Sequence, residues 1–427
     1  MLKNEVKKLK IEVLGGAREV GGSCIGVEAN SCKVALDYGA KLDAPEPKKF
    51  PKDFDAVIIS HAHLDHSGSL MSLCKNNNPT IVGSDITREV TVDLLHDMVK
   101  IQNEKGNFDY DSGVAERVRN SWWSRDSVAL PGMKVNLQSA GHVAGAKIIS
   151  LEADKKRVVY TGDFCLHDSE ILQGCKLDAV PKKPDVLIME STYGGKVRPP
   201  RRELVDEFMQ QMLTVMEHGG NILIPTFAFH RSQEMAKRLD VAIERGILPR
   251  YHIYTISNLA HRIDGYFNQN RTLFKKSIKE QKTPFNYRHV KHLYRTNQIQ
   301  EPAVVVCTSG FGHAGASLRL LSDWAADKRN CVILTSGYLP PDSPLKTAKE
   351  EGFFKTETDM VTVNAEVRQI ELSGHADQAE LVEFVQKIKP DRTVLVHGDL
   401  EQAELLTEKL SHLTDVCIPK ENEVIDV

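Results

Sequence analysis

The chain has 427 residues, too many for one simple core, and an ordinary globular composition. A formal net charge of -3 excludes a generally basic nucleic-acid coat, so any nucleic-acid site has to be local. The eight cysteines are scattered, form no CxxC pair and often sit in apolar runs, which excludes a disulfide framework and predicts reduced thiols in a cytoplasmic protein.

The N-terminus, Met1 to Lys10, is polar and lysine-rich, with no apolar run after it. No stretch approaches the length of a membrane span, so neither a signal peptide nor a membrane partner is expected. From Lys10 to about Leu151 short strands dominate: Ile11–Gly16, Ser23–Glu28, Cys32–Asp37 and the buried run Phe54–Ser60. Helical periodicity appears between Ile86 and Gln102, with Val90, Leu94, Leu95, Met98 and Val99 on one side. Strand signals resume at Lys134–Leu137, Ala146–Leu151 and Arg157–Tyr160. From about Arg202 the rhythm changes. Glu203–His218 is a predicted helix ending at Gly219-Gly220, Asn221–Pro225 a buried strand, and Ser232–Gly246 a helix. Strand and helix then alternate to about Tyr338, the pattern of a parallel α/β layer. The first region and the tail after Glu366 both end strands in metal-ligand residue types, so an α/β insert inside a metal-binding domain is the simplest layout.

The densest chemistry follows the run Phe54–Ser60. His61, His63, Asp65 and His66 put four metal-ligand side chains within six residues at a strand end. Extended backbone projects His61 and His63 to one side, and Asp65 and His66 turn toward a second point. Further candidates stand at later strand ends: His142 among small residues, Asp163 in Tyr160-Thr161-Gly162-Asp163, and His397 in Val396-His397-Gly398. His61, His63 and His142 suit one zinc ion, Asp65, His66 and His397 a second, and Asp163 a bridge between them. Two such metals activate water near neutral pH and clamp the oxygens of a phosphodiester. A structural zinc is instead closed by four ligands, more often cysteines.

These motifs resemble the β-CASP nucleases of the metallo-β-lactamase superfamily, in particular archaeal and bacterial homologues of the nuclease subunit of the cleavage and polyadenylation specificity factor. The resemblance covers nearly the whole chain. It matches Asp37 in Ala35-Leu36-Asp37-Tyr38-Gly39, the HxHxDH motif at His61, His63, Asp65 and His66, then His142 and Asp163. It also matches Glu190 in Met189-Glu190-Ser191-Thr192, His375 in Ser373-Gly374-His375-Ala376, and His397, where RNA-acting members carry histidine and the DNA-repair branch commonly valine. The resemblance implies a four-layer αββα metallo-β-lactamase fold of the α/β class, with residues 1–204 and 365–427 in that domain and 205–364 an inserted β-CASP domain. It implies two Zn2+ per chain, Glu190 orienting His375, His375 protonating the leaving 3′ oxygen, Asp65 in the catalytic centre and Asp37 behind the ligands. It further implies hydrolysis of single-stranded RNA by metal-bound hydroxide, internally or from the 5′ end, a homodimer, and RNA-processing partners. A KH-type N-terminal RNA-binding extension is not expected.

RNA contacts are expected at Arg231, after the strand Asn221–Pro225, and at the turns Ser309-Gly310 and Ser336-Gly337, where strand ends expose backbone amides. After Gly310 the chain reads Phe311-Gly312-His313, where relatives usually have methionine. Arg271 to Arg295 holds eight basic residues, Lys275 and Lys279 among them, against the single acid Glu280. Phe274, Phe285, Tyr287 and Tyr294 are interleaved, a composition that suits phosphates and stacked bases. Two other readings compete: a small-molecule metallo-hydrolase, which fits poorly with the long interval from Asp163 to His397, and a catalytically inactive RNA-binding scaffold, which fits poorly with a complete ligand set.

Overall fold

The computed structural model describes residues 9–30, 32–41, 48–76, 78–104, 113–356 and 358–427. The polar segment before Leu9 lies outside them. The chain divides into two compact units, one of Met1–Asp168, Gln173–Val197 and Gly374–Val427, the other of Ser169–Leu172 and Arg198–Ser373. The divisions expected at 204/205 and 364/365 both lie within the second unit's span. The physical reasons are that helix Arg201–Glu217 is continuous through residue 204, and that Glu366–Gln369 pairs as a parallel strand with Cys331–Leu334 in the second unit's sheet.

The first unit carries two seven-stranded sheets. In one, strands run in the order 423–426, 10–15, 24–29, 32–36, 56–58, 81–83 and 122–124. In the other the order is 415–417, 392–396, 186–190, 156–160, 147–153, 133–139 and 127–130. Period-two patterning explains the layering. Val34, Leu36 and Ile58 of the first sheet join Val135, Leu151, Tyr160, Ile188 and Val396 of the second in one buried cluster. Ala35, Val57 and Ile59 point the other way and pack with Leu70, Met71, Val92 and Leu95 from helices. The helix Gln378–Ile388 buries Leu381, Phe384, Val385 and Ile388. Helices therefore cover a pair of stacked sheets.

The periodic segment expected at 86–102 is a helix over Asp85–Glu104. The run Phe54–Ser60 contains a strand of only Ala56–Ile58, parallel to both Cys32–Leu36 and Ile81–Gly83. Parallel pairing matters for the site because strands 32–36 and 56–58 end together, as do 156–160, 186–190 and 392–396. Loops from five strand ends are thereby brought to the carboxyl edges of the two sheets.

The second unit is built on a six-stranded, all-parallel sheet in the order 291–292, 252–256, 303–307, 222–225, 331–334 and 366–369. Ile222, Ile224, Val304 and Val306 face one buried cluster, and Leu223, Val305 and Cys307 the other. A sheet covered on both faces explains why these strands read as unbroken apolar runs. All eight cysteines are free, and seven are buried. Among the described residues no helix is long and apolar enough to cross a membrane.

Candidate metal centre and its relatives

The loop after Leu36 and the loop after Ile58 support each other through backbone bonds. Tyr38 N–H donates to His66 C=O at 2.8 Å, Ala40 N–H to Leu64 C=O at 2.8 Å, and Ser23 N–H to Asp65 C=O at 2.9 Å. Gly39 is required there, because a Cβ would stand 1.7 Å from Asp65 C=O. Residues Leu64–Ser67 make a single helical turn, which is what turns Asp65 and His66 away from His61 and His63. Asp37 and His397, both immediately after a strand, have positive φ of 61° and 49°. That left-handed conformation costs a non-glycine residue about 1–3 kcal/mol and persists where the surroundings impose it, commonly at functional sites.

The side chains converge in two groups. His61, His63, His142 and Asp163 have ligand-type atoms all within 4.8 Å of one another, and so do Asp65, His66 and His397. His61 Nε2 and His142 Nε2 lie 3.0 and 3.3 Å from His63 Nδ1, and His66 Nε2 lies 3.2 Å from His397 Nε2. Asp163 stands between the groups: its Oδ2 is 3.4 Å from His61 Nε2 and 3.3 Å from His66 Nε2. His397 Nδ1 is 3.4 Å from its Oδ1.

Protonation favours metal binding on one side. Burial, reinforced by neighbouring imidazoles, lowers His61 and His142 well below the usual histidine range and brings His63 to about 4. Those rings are neutral near pH 7, the form that ligates zinc. Burial opposes ionisation of Asp163, but His397, His66 and His375 outweigh it and hold the carboxyl well below its ordinary value. Burial likewise opposes the charged form of His66, and the carboxylates of Asp163, Asp37 and Asp65 overcome it, so a metal displaces a proton from this ring. Asp163 Oδ1 is buried and accepts no hydrogen bond from the described residues. An ionised carboxylate oxygen buried without a hydrogen bond, beside the neutral imidazoles of His61, His63 and His142, is a costly arrangement that a divalent cation relieves, so the residues present fit zinc.

A layer behind the ligands fixes them. Asp37 accepts from Ser60 N–H at 2.6 Å, Ser60 Oγ–H at 2.7 Å and Tyr160 O–H at 2.7 Å, and its Oδ2 lies 2.7 Å from His66 Nδ1. His142 Nδ1 faces Gly374 C=O at 2.8 Å. Both contacts turn Nε2 of the ring toward the cluster. Glu190 accepts from Phe164 N–H at 2.8 Å and pairs with His375 Nδ1 at 2.9 Å. Glu190 is buried, whereas the His375 side chain is 20% exposed, so the ring joins a buried carboxylate to the surface. His375 is not the cap of the following helix: Asp377 and Glu380 cap it reciprocally. Glu380 also accepts from Leu166 N–H and His167 N–H, which ties down the loop after Asp163.

Comparison with known proteins follows the same residues. Residues 35–207 match the metallo-beta-lactamase superfamily, 232–343 the Beta-Casp domain, and 360–419 the Zn-dependent metallo-hydrolase RNA specificity domain. The chain is similar to a "Probable RNase MJ4" of Methanocaldococcus jannaschii, with 31% identity over 98% of this chain and 100% of that protein. The chain belongs to the β-CASP family of the metallo-β-lactamase superfamily. It is also 28% identical to "RNase aCSPSF2" of Saccharolobus solfataricus, over 98% of this chain and 85% of that one. Similarity to "Cleavage and polyadenylation specificity factor subunit 3" of Dictyostelium discoideum is 30%, over 94% of this chain, which spans only 55% of that longer relative. A solved protein of unknown function from Enterococcus faecalis shares the fold at a TM-score of 0.60 and 16% identity, with 98% of this chain and 100% of that one covered.

The residues expected to contact RNA lie in the second unit and are more scattered in character. Ser309 and Gly310 follow the strand Ala303–Cys307, and Ser336 and Gly337 follow Cys331–Leu334. Gly310 packs beneath Phe227, where a Cβ would meet its ring at 3.2 Å. Arg231 opens a helix over Arg231–Glu244 and is paired with Glu234. The basic segment 271–295 is only partly as expected. Phe274 and Phe285 are buried and pack with Phe267, and Tyr287 donates to Asp264 at 3.0 Å. Phe274 and Phe285 are core, not stacking surfaces, and Tyr287 is half-buried against the core; Tyr294 is 66% exposed. Lys275 donates to Ser169 C=O at 2.9 Å, while Lys279 and Lys282 are exposed.

Two contributions escaped the sequence reading. Ser60 and Tyr160 complete the ring of donors around Asp37. Tyr160 carried a usable signal, since a tyrosine inside the buried run Val158-Val159-Tyr160 has to find an acceptor. Among the small residues beside His142, Gly141, at φ 78°, is needed for packing, because a Cβ would meet Cys165 C=O and Cys175 N at 2.6 and 2.5 Å.

Proposed function

We propose that this protein is a zinc-dependent ribonuclease that hydrolyses phosphodiester bonds of single-stranded RNA. The observation that carries the reading is the convergence of seven His and Asp side chains from separate strand ends into two adjacent groups, with the orphaned carboxylate oxygen of Asp163 between them. His61, His63 and His142 would hold one zinc ion, Asp65, His66 and His397 the other, and Asp163 would serve both. Zinc supplies Lewis acidity, polarising phosphoryl oxygens and bringing a bound water to a pKa of about 7.

The chain's own residues do the rest. Asp37 and the Gly374 carbonyl hold His66 and His142 in the orientation that presents Nε2. Glu190 holds His375 through Nδ1, so that Nε2 can deliver a proton to the departing 3′ oxygen. Water adds across the P–O3′ bond, leaving 5′-phosphate and 3′-hydroxyl ends. A carboxylate behind the imidazole keeps the ring fixed and cationic until the proton leaves. The names of the relatives support RNA as substrate, and one of them is named as a subunit of a larger factor, which supports processing partners. A complete set of ligands weighs against an inactive scaffold.

Metal analysis of protein purified without added zinc is expected to find about two zinc ions per chain. Activity indifferent to chelators, with stoichiometry near zero, would overturn the metal assignment. RNA labelled at each end in turn, offered with 5′-phosphate or 5′-triphosphate, separates internal cleavage from degradation starting at the 5′ end. For the exposed part of the basic segment, Lys279→Glu combined with Lys282→Glu is expected to weaken RNA binding. The slope of log affinity against log salt should flatten by about 0.7 for each phosphate that the variant no longer neutralises. Zinc content should stay the same, and an unchanged slope would return these lysines to an ordinary solvated surface.

A further inference from the structure

The second unit holds a charge cluster that the hydrolytic centre does not use. Glu234, on the first turn of helix Arg231–Glu244, is 1% exposed and receives three guanidinium groups. Arg231 Nη1 pairs with its Oε2, Arg201 Nη2 lies 2.7 Å from Oε1, and Arg238 Nη2 lies 3.8 Å from the same oxygen. Glu170 Oε2 takes Arg238 Nη1 at 3.3 Å, and Arg201 Nη1 donates to Ser373 C=O at 3.2 Å. These contacts gather three guanidiniums of the described residues on Glu234 and Glu170.

One of these guanidiniums is buried and the other two are largely covered. Arg238 is 6% exposed, and the Arg201 and Arg231 side chains are 15% and 16% exposed. Arg201 Nε and Arg238 Nε are buried donors with no acceptor. A protein rarely leaves charged N–H groups unsatisfied away from water, since their desolvation is then uncompensated. The cluster also sits at the amino end of a 14-residue helix whose N-cap, His230, makes no side-chain capping bond, so the helix adds positive potential at the same place. A structural ion-pair network alone explains Glu234, but it leaves the two Nε donors of Arg201 and Arg238 unspent.

We propose that this cluster is a subsite for a tetrahedral phosphate oxyanion, held by Arg201 and Arg238 with Arg231 beside them, and that Glu234 is the resident counter-ion that positions the guanidiniums. Forked guanidinium donors match phosphate geometry, and an Nε–H paired with an Nη–H supplies the two parallel bonds of a bidentate contact. The source of the oxyanion is the RNA backbone, a choice that rests on the function proposed above; free inorganic phosphate presents the same chemistry.

The test reads thermal midpoint and affinity for inorganic phosphate, against sodium chloride of equal ionic strength, in the metal-loaded protein. Phosphate is expected to raise the midpoint of the wild type. Arg201→Lys and Arg238→Lys keep the charge but lose the fork, and should bind phosphate about 10–100-fold more weakly, the loss of one charge-assisted hydrogen bond. Glu234→Gln keeps the shape and removes the competing charge, so it should bind phosphate more tightly. Should Arg238→Lys fail to fold, the partly exposed Arg201 and the isosteric Glu234→Gln carry the comparison. Equal phosphate affinity in the wild type and the variants overturns the subsite, as does a wild type without a midpoint shift. In the RNA arm, weaker RNA binding by Arg201→Lys supports the backbone as the source. Unchanged RNA binding beside weakened phosphate binding overturns that source in favour of the free ion. A wild type that neither binds nor cleaves RNA defeats the proposed function, while the phosphate arm still decides the subsite.

Discussion

Asp163→Asn is expected to bring RNA cleavage below detection while the protein stays folded. The substitution is isosteric, so the close packing around residue 163 is retained, but the negative charge that lies 3.3–3.4 Å from His61, His66 and His397 is lost. Without it the two groups of ligands have no shared anion, and zinc content should fall below two per chain. His63→Ala removes a ligand from one group and should be equally inactive, with RNA binding preserved because the second unit is untouched. Circular dichroism checks the fold, metal analysis the zinc, and end-labelled RNA the activity. Cleavage near the wild-type rate in either variant would mean that the ligands are assigned wrongly.

His375→Ala should behave differently. It deletes the proposed proton donor without deleting a ligand, so zinc stays near two per chain while the rate falls about 10²–10⁴-fold. The distinction rests on geometry: His375 Nδ1 is engaged by Glu190 at 2.9 Å, and the same nitrogen is 3.9 Å from Asp163 Oδ2. Glu190→Gln leaves the ring in place but weakens its hold, and should give a smaller loss with the same metal content, as expected of a positioning residue. Added imidazole should restore part of the rate to His375→Ala and none to Asp163→Asn. Loss of zinc from His375→Ala would instead place that histidine among the ligands.

Much of this protein was legible before any fold was known, and the reason is periodicity. Unbroken apolar runs in Val304–Cys307 and Cys331–Leu334 mark strands buried on both faces, and the helix over Asp85–Glu104 shows its apolar side directly. The cluster from His61 to His66 is local, so its metal chemistry can be read from spacing. Where local signals failed, tertiary packing decided. Phe274, Phe285 and Tyr287 look like stacking residues in a basic stretch, yet hydrophobic burial takes the two phenylalanines into the core and half-buries the tyrosine, because composition does not say which way a short turn folds.

The sequence by itself determined the chemical types available, the strand ends that carry them and the family to which the chain belongs. Which atoms meet was decided only by the tertiary structure. His61 and His397 are far apart in the chain, and parallel pairing of 186–190 with 392–396, stacked against the sheet that carries 56–58, brings both within 3.4 Å of the Asp163 carboxylate. Long-range packing in each unit supplies what no spacing encodes: the Ser60 and Tyr160 donors on Asp37, and the three guanidiniums gathered around Glu234. Ligand identity is a property of single residues, whereas desolvation and charge balance are properties of the whole surroundings, and these exist only once the chain has folded.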